Sequence, residues 1–171
     1  FEEVQSRNGD QPEDRNREVA KQIAVAALRY FMLKFTRNTV IAFDLQEALS
    51  FTGETGPYLQ YAAVRASKIL AKFAERGGGI PDFAGALTRE AFARQLGDEE
   101  LWQLLVEASK MESAVERAVG SGEPSHVARF AFQLGQAFNT FYQKYPVLDE
   151  PDAERRLFLL WMTSYFRSRL E

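Results

Sequence analysis

Apolar residues recur at three- and four-residue spacing along nearly all of this chain, and glycine, proline and short polar clusters interrupt them. That period matches the α-helical turn, so the chain is constrained to an all-α fold. Pro12 followed by Glu13-Asp14 suits a helix start, because acids favour the positive helix end. The spacing predicts a helix from there to about Phe35, then a short one capped by Asp44 and ending at Leu49. Residues 50–56 hold two glycines and no periodicity, which predicts a loop. A strong helix then runs from Pro57 to about Arg76, ended by Gly77-Gly78-Gly79, with a loop over 77–87. Two or three shorter helices are expected between Thr88 and Val119, broken near Gly97. A long helix spans about Ser125 to Lys144, and a last one begins around Asp149-Glu150-Pro151-Asp152. The reading is a single bundle of about six to eight helices.

The 171 residues suffice for one domain with a real core. The chain contains no cysteine and one histidine, so disulfides, thiolate chemistry and a histidine- or cysteine-built metal site are excluded. No apolar run approaches the roughly 18 residues of a membrane span, and no signal-peptide pattern opens the chain. The first residue is Phe1, so the chain is expected to begin partway through a longer protein. A net charge of −3 argues weakly against nucleic acid. Its distribution argues the other way. Pro57–Arg76 and Arg155–Leu170 are basic segments, whereas Asp98-Glu99-Glu100, Glu107, Glu112 and Glu116 gather the acids, and segregated charge makes local fields.

On the helix after Pro57, Tyr58, Tyr61, Arg65, Lys68 and Lys72 fall along one face. Leu59, Ala62, Ala66, Ile69, Leu70 and Phe73 form the adjoining apolar stripe. Cations that neutralise phosphates beside rings that engage unstacked bases suit single-stranded RNA. Spacing alone describes an ordinary helix with solvated lysines and half-buried tyrosines at least as well.

The segment Asp44–Arg65, with Ser50-Phe51-Thr52-Gly53-Glu54-Thr55-Gly56-Pro57-Tyr58-Leu59-Gln60-Tyr61 at its centre, closely resembles the entry to the anticodon-binding domain of arginyl-tRNA synthetases. Ala27–Leu33, Ala137–Tyr142, Pro146-Val147-Leu148 and Arg156-Leu157 resemble the same family in the same order. The resemblance covers most of the chain and is weakest between about 74 and 100. It implies the anticodon-binding helical bundle of a class I synthetase over residues 44–171, preceded by a helical linker over 1–43. It implies RNA contacts from Ser50, Thr52, Glu54, Tyr58, Tyr61, Arg65, Lys68 and Tyr145. The partners it implies are arginine tRNA and the enzyme's own N-terminal catalytic domain, with no DNA and no membrane. The implied compartment is the cytoplasm. Family members usually continue past a helix like the last one here, so the end at Leu170-Glu171 is expected to be a truncation.

Other residues carry plainer readings. Asn139, Tyr142, Trp161 and Tyr165 are expected to pack, His126 to lie on the surface, and about half of Arg155, Arg156, Arg167 and Arg169 to be merely solvated. Gly53 and Gly56 suit unusual backbone angles or close approach. No His-Ile-Gly-His-like or Lys-Met-Ser-Lys-like signature is present, and no strand–glycine-loop–helix unit holds ATP. No catalytic residue and no cofactor are therefore expected in this chain. The resemblance assigns ATP, with magnesium, to the parent arginine–tRNA ligase. Two alternatives stand beside this reading: the helical anticodon domain of another class I synthetase, and a helical protein-interaction domain whose basic face meets an acidic protein.

Overall fold

A computed structural model describes residues 1–77, 79 and 81–171. Its helices are α1 (Glu2–Arg7), α2 (Glu13–Leu33), α3 (Leu45–Leu49), α4 (Gly56–Gly77), α5 (Phe83–Ala86), α6 (Arg89–Gln95), α7 (Glu99–Ser109), α8 (Met111–Ser121), α9 (Ser125–Lys144) and α10 (Ala153–Leu170). Among the described residues there is no strand. Setting aside α1 and the single turn α5, which the sequence reading did not foresee, leaves the upper end of the expected number. The stop at Gly77-Gly78-Gly79 and the loop over 77–87 include Gly78 and Ile80, which lie outside the described residues.

Side-chain caps set the starts. Asp44, Asp82, Thr88, Asp98 and Asp152 each accept hydrogen bonds from the first backbone amides of α3, α5, α6, α7 and α10. Such caps satisfy donors that have no intrahelical partner, each contributing about 1 kcal/mol. Asp82 explains why a helical turn forms inside the expected loop. Asp152 explains why α10 begins a few residues later than the acid–proline run suggests. Gly122, with φ 64°, closes α8 in the left-handed region, where a side chain would be strained.

Helix α10 lies along α4, and α9 packs on α4, α7, α8 and α10. Their shared centre is aromatic. Phe138, Phe141 and Phe166 are fully buried, with ring centroids 5.7–6.2 Å apart. Around them sit Leu101, Leu134, Phe158 and Met162, with Ala62, Ala66, Ile69 and Leu70 of the stripe read on α4; Phe73 is partly buried against them and Leu59 lies outside this cluster. Helix α2 packs against the start of α4. A Cβ on Gly56 would stand 2.6 Å from the Ala26 carbonyl oxygen, so only glycine lets the two backbones approach this closely. Gly53, by contrast, is needed for its φ of 80°. The two glycines of one loop thus answer different demands, close approach and backbone angle. No helix among the described residues is long and apolar enough to cross a membrane.

Candidate nucleic-acid interface

The loop before α4 is built by its own hydroxyls. Thr55 Oγ1 donates to the Ser50 carbonyl (2.6 Å) and accepts from the Tyr58 backbone amide (3.2 Å), which makes Thr55 the cap of α4. The Thr52 amide donates to Ser50 Oγ (3.1 Å). From the C-terminal end of α2, its cap residue Lys34 reaches across. Its Nζ pairs with Glu47 (2.7 Å), donates to the Glu54 carbonyl (3.4 Å) and lies over the Phe31 and Phe35 rings. Its side chain is only 9 % exposed. A carboxylate, a carbonyl and two ring faces replace the water this side chain gives up. The loop carrying Ser50, Thr52 and Glu54 is therefore tied to α2.

Two turns into α4 the surface changes character. Tyr61, Arg65, Lys68 and Lys72 line a cleft of about 360 Å³, whose far wall is Tyr142 and residues 145–149. Tyr61 and Tyr142 are 50 % and 42 % exposed. The Arg65 guanidinium lies 4.5 Å from the centroid of each ring, facing both. Arg65 Nη1 donates to Asn139 Oδ1 (2.7 Å), and Asn139 Nδ2 donates to Tyr58 Oη (2.8 Å). The hydrogen bond and charge of Arg65 hold the Tyr61 phenol below its ordinary pKa. Among the described residues, no carboxylate pairs with Arg65, Lys68 or Lys72. The cleft thus presents two ring surfaces and three uncompensated cations.

The expected single stripe from Tyr58 to Lys72 divides. Tyr58 is half-buried, its ring 5.6 Å from Phe132 and close to Gly135. Four residues along a helix lie nearer in angle than three, so Tyr58 aligns with buried Ala62 more than with Tyr61. It reaches the cleft through Asn139. Tyr145 also borders the cleft but is 6 % exposed. Its hydroxyl donates to the Asp98 carboxylate at 3.3 Å, and burial, helped by the Asp98 charge, pushes its pKa up to about 12. Ser50, Thr52 and Glu54 stand apart. At 1.5 Å per residue, Arg65 lies roughly 14 Å along the axis from the start of α4.

The second basic segment is engaged within the fold. Arg155 pairs with Asp98 (3.2 Å) and Glu150 (3.6 Å), Arg167 with Glu171 (3.4 Å) and Arg169 with Glu112 (3.0 Å). Arg156 donates to the Glu150 carbonyl (2.7 Å). All four thus have internal partners, where about half were expected to be simply solvated. The sequence alone assigns Asn139 and Tyr142 to packing. Their i, i+3 spacing on α9 was the available signal, but only the α9–α4 contact shows that both meet Arg65. Trp161 and Tyr165, expected in the core, are partly buried against it and stack on each other, 5.5 Å apart and nearly parallel. No metal-holding group of acids and histidines occurs among the described residues.

Three comparisons bear on the site. A family model described as the DALR anticodon binding domain matches residues 59–168. The chain is 39 % identical over 148 residues to an arginine–tRNA ligase of Lactococcus lactis subsp. lactis, covering 86 % of this chain and 24 % of that one. It is 34 % identical over 162 residues to that of Streptococcus suis, covering 94 % and 26 %. Its fold is similar to an arginyl-tRNA synthetase of Thermus thermophilus, with a TM-score of 0.75 and 30 % identity, over 98 % of this chain and 27 % of that chain. The chain therefore spans about a quarter of the length of the relatives it matches.

Proposed function

Since the chain belongs to the DALR anticodon-binding domain family, we propose that it holds the anticodon stem-loop of arginine tRNA for an arginine–tRNA ligase. The cleft between α4 and α9 carries the reading. Tyr61 and Tyr142 offer ring surfaces on which unstacked bases stack, and such stacking contributes about 1–3 kcal/mol per base. Arg65, Lys68 and Lys72 offer positive charge to the adjoining phosphates. Tyr58 presents a hydroxyl beside them. Ser50, Thr52 and Glu54 meet the same RNA farther along its backbone, and Tyr145 supports the cleft floor.

The chemistry of such a ligase, with its ATP and magnesium, belongs to a catalytic domain outside residues 1–171. This chain contributes binding energy remote from the reacting atoms, which positions the acceptor end. Residues 1–43 form the linker toward that domain, and the setting is the cytoplasm.

The test is a titration of the protein with arginine tRNA and with the same tRNA carrying a swapped anticodon. The expected result is tighter, salt-sensitive binding to arginine tRNA. Tyr61→Ala is expected to weaken that binding and erode the preference. Equal affinity for both RNAs, unchanged by Tyr61→Ala, overturns the reading.

A further inference from the structure

Asn139 stands at the only link between Tyr58 and Arg65 found among the described residues, and its chemistry fixes how both are presented. A guanidinium has five N–H donors and no acceptor. The amide edge facing Arg65 must therefore be the oxygen, and the NH₂ must face Tyr58. Two consequences follow. Tyr58 Oη is the acceptor of that bond, so its own proton points elsewhere, and no acceptor for it occurs among the described residues. Arg65 is held by a neutral group, so its full charge remains. An aspartate in the same place would also hold Arg65, but it would cancel the charge and turn the Tyr58 proton inward.

We propose that Asn139 is the positioning residue of the cleft: it fixes Arg65 against Tyr61 and Tyr142 without neutralising it, and directs the Tyr58 hydroxyl proton toward an acceptor on the bound RNA. This rests on the reading of the cleft as an RNA site, but one arm of its test needs no RNA.

That arm is the titration of Tyr61, followed by carbon NMR of its ring with the resonance assigned through Tyr61→Phe. In the unaltered protein Tyr61 titrates below an ordinary tyrosine, because Arg65 favours its phenolate. In Asn139→Ala the released arginine moves away and the value rises toward the ordinary one. A value that does not move overturns the proposal. In the second arm, Asn139→Ala weakens binding of the anticodon stem-loop about tenfold in the unaltered background, the effect of losing one charge-assisted hydrogen bond. In an Arg65→Ala background the same change costs at most about twofold, since interacting groups are not additive. Equal losses in both backgrounds overturn the proposal. Asn139→Asp, which keeps the shape and the hold on Arg65, is expected to fold and to bind more weakly with a shallower salt dependence. Asp binding as tightly as Asn overturns it too. If the unaltered protein shows no preference for arginine tRNA, the proposed function fails, while the Tyr61 titration still decides the role of Asn139.

Discussion

Two tyrosine–arginine clusters lie beside the last turn of α9, and they have opposite fates. At Tyr145, Arg155 lies 5.7 Å from the ring, pairs with Asp98 and Glu150, and the tyrosine hydroxyl also turns to Asp98. The ring packs at a tilt on buried Phe141, with centroids 5.5 Å apart. The Tyr145 hydroxyl and both terminal nitrogens of Arg155 reach acceptors inside the fold. At Tyr61 and Tyr142, Arg65 faces two half-exposed rings, bonds a neutral amide and, among the described residues, meets no carboxylate. The first cluster is closed and contributes to stability. The second keeps its charge and its ring surfaces facing water, which is what a site for an anionic, aromatic ligand requires.

Single substitutions separate the two clusters. The largest expected effect is on the closed side. Tyr145→Ala removes a buried ring and leaves Asp98 and Arg155 with fewer partners, for a loss of about 3–4 kcal/mol in unfolding free energy by urea titration. Tyr61→Ala, on the open side, is expected to change stability by no more than about 0.5 kcal/mol, as exposed sites do. A comparable loss at both positions would erase the distinction. Next, Arg65→Ala is expected to weaken stem-loop binding about tenfold with little change in Tm, and Arg65→Lys to recover only part of it, since an ammonium lacks the planar fork that faces the rings.

The pH dependence separates the clusters as well. Burial opposes ionisation of Asp98, but Arg155, the Leu101 amide and the Tyr145 hydroxyl outweigh it and hold its carboxyl below the usual range. A group with a depressed folded pKa stabilises above its unfolded value, and the benefit is lost as pH falls through the folded one. Stability should therefore decline as pH falls below the ordinary carboxylate range, and Asp98→Asn should flatten that decline. The smallest effect is expected from Lys72→Gln, a severalfold loss of RNA affinity. The salt dependence of binding should become shallower by about 0.7 in log–log slope, one phosphate contact on a single strand.

The helices were legible because their signals are local. Asp44 before an apolar turn, Pro57 after two glycines, and the stripe Phe130, Leu134, Phe138 and Phe141 each announce an element within a few residues. Asp82 is a local cap too, but one turn of helix is too short to show a period. The site was legible only in part. Tyr61, Arg65 and Lys68 share a helix face and could be grouped from spacing. That Arg65 stays uncompensated while Arg155 is neutralised depends on Asn139, Asp98 and Glu150, which lie 74, 57 and 5 residues away. Periodicity carries no information about such pairings. The resemblance named Tyr145 alongside Tyr61, although one ring is buried and the other open. The two rings differ in what the start of α7 and α10 bring against them, which no spacing on α4 or α9 reveals.

The most direct measurement titrates the arginine tRNA anticodon stem-loop into Arg65→Ala and Arg155→Ala side by side, with Tm recorded for each. If the Arg65 cluster is the open one, Arg65→Ala binds more weakly with near-native Tm, and Arg155→Ala binds near-natively with lowered Tm. Equal loss of affinity in the two variants, or full affinity in Arg65→Ala, would contradict it.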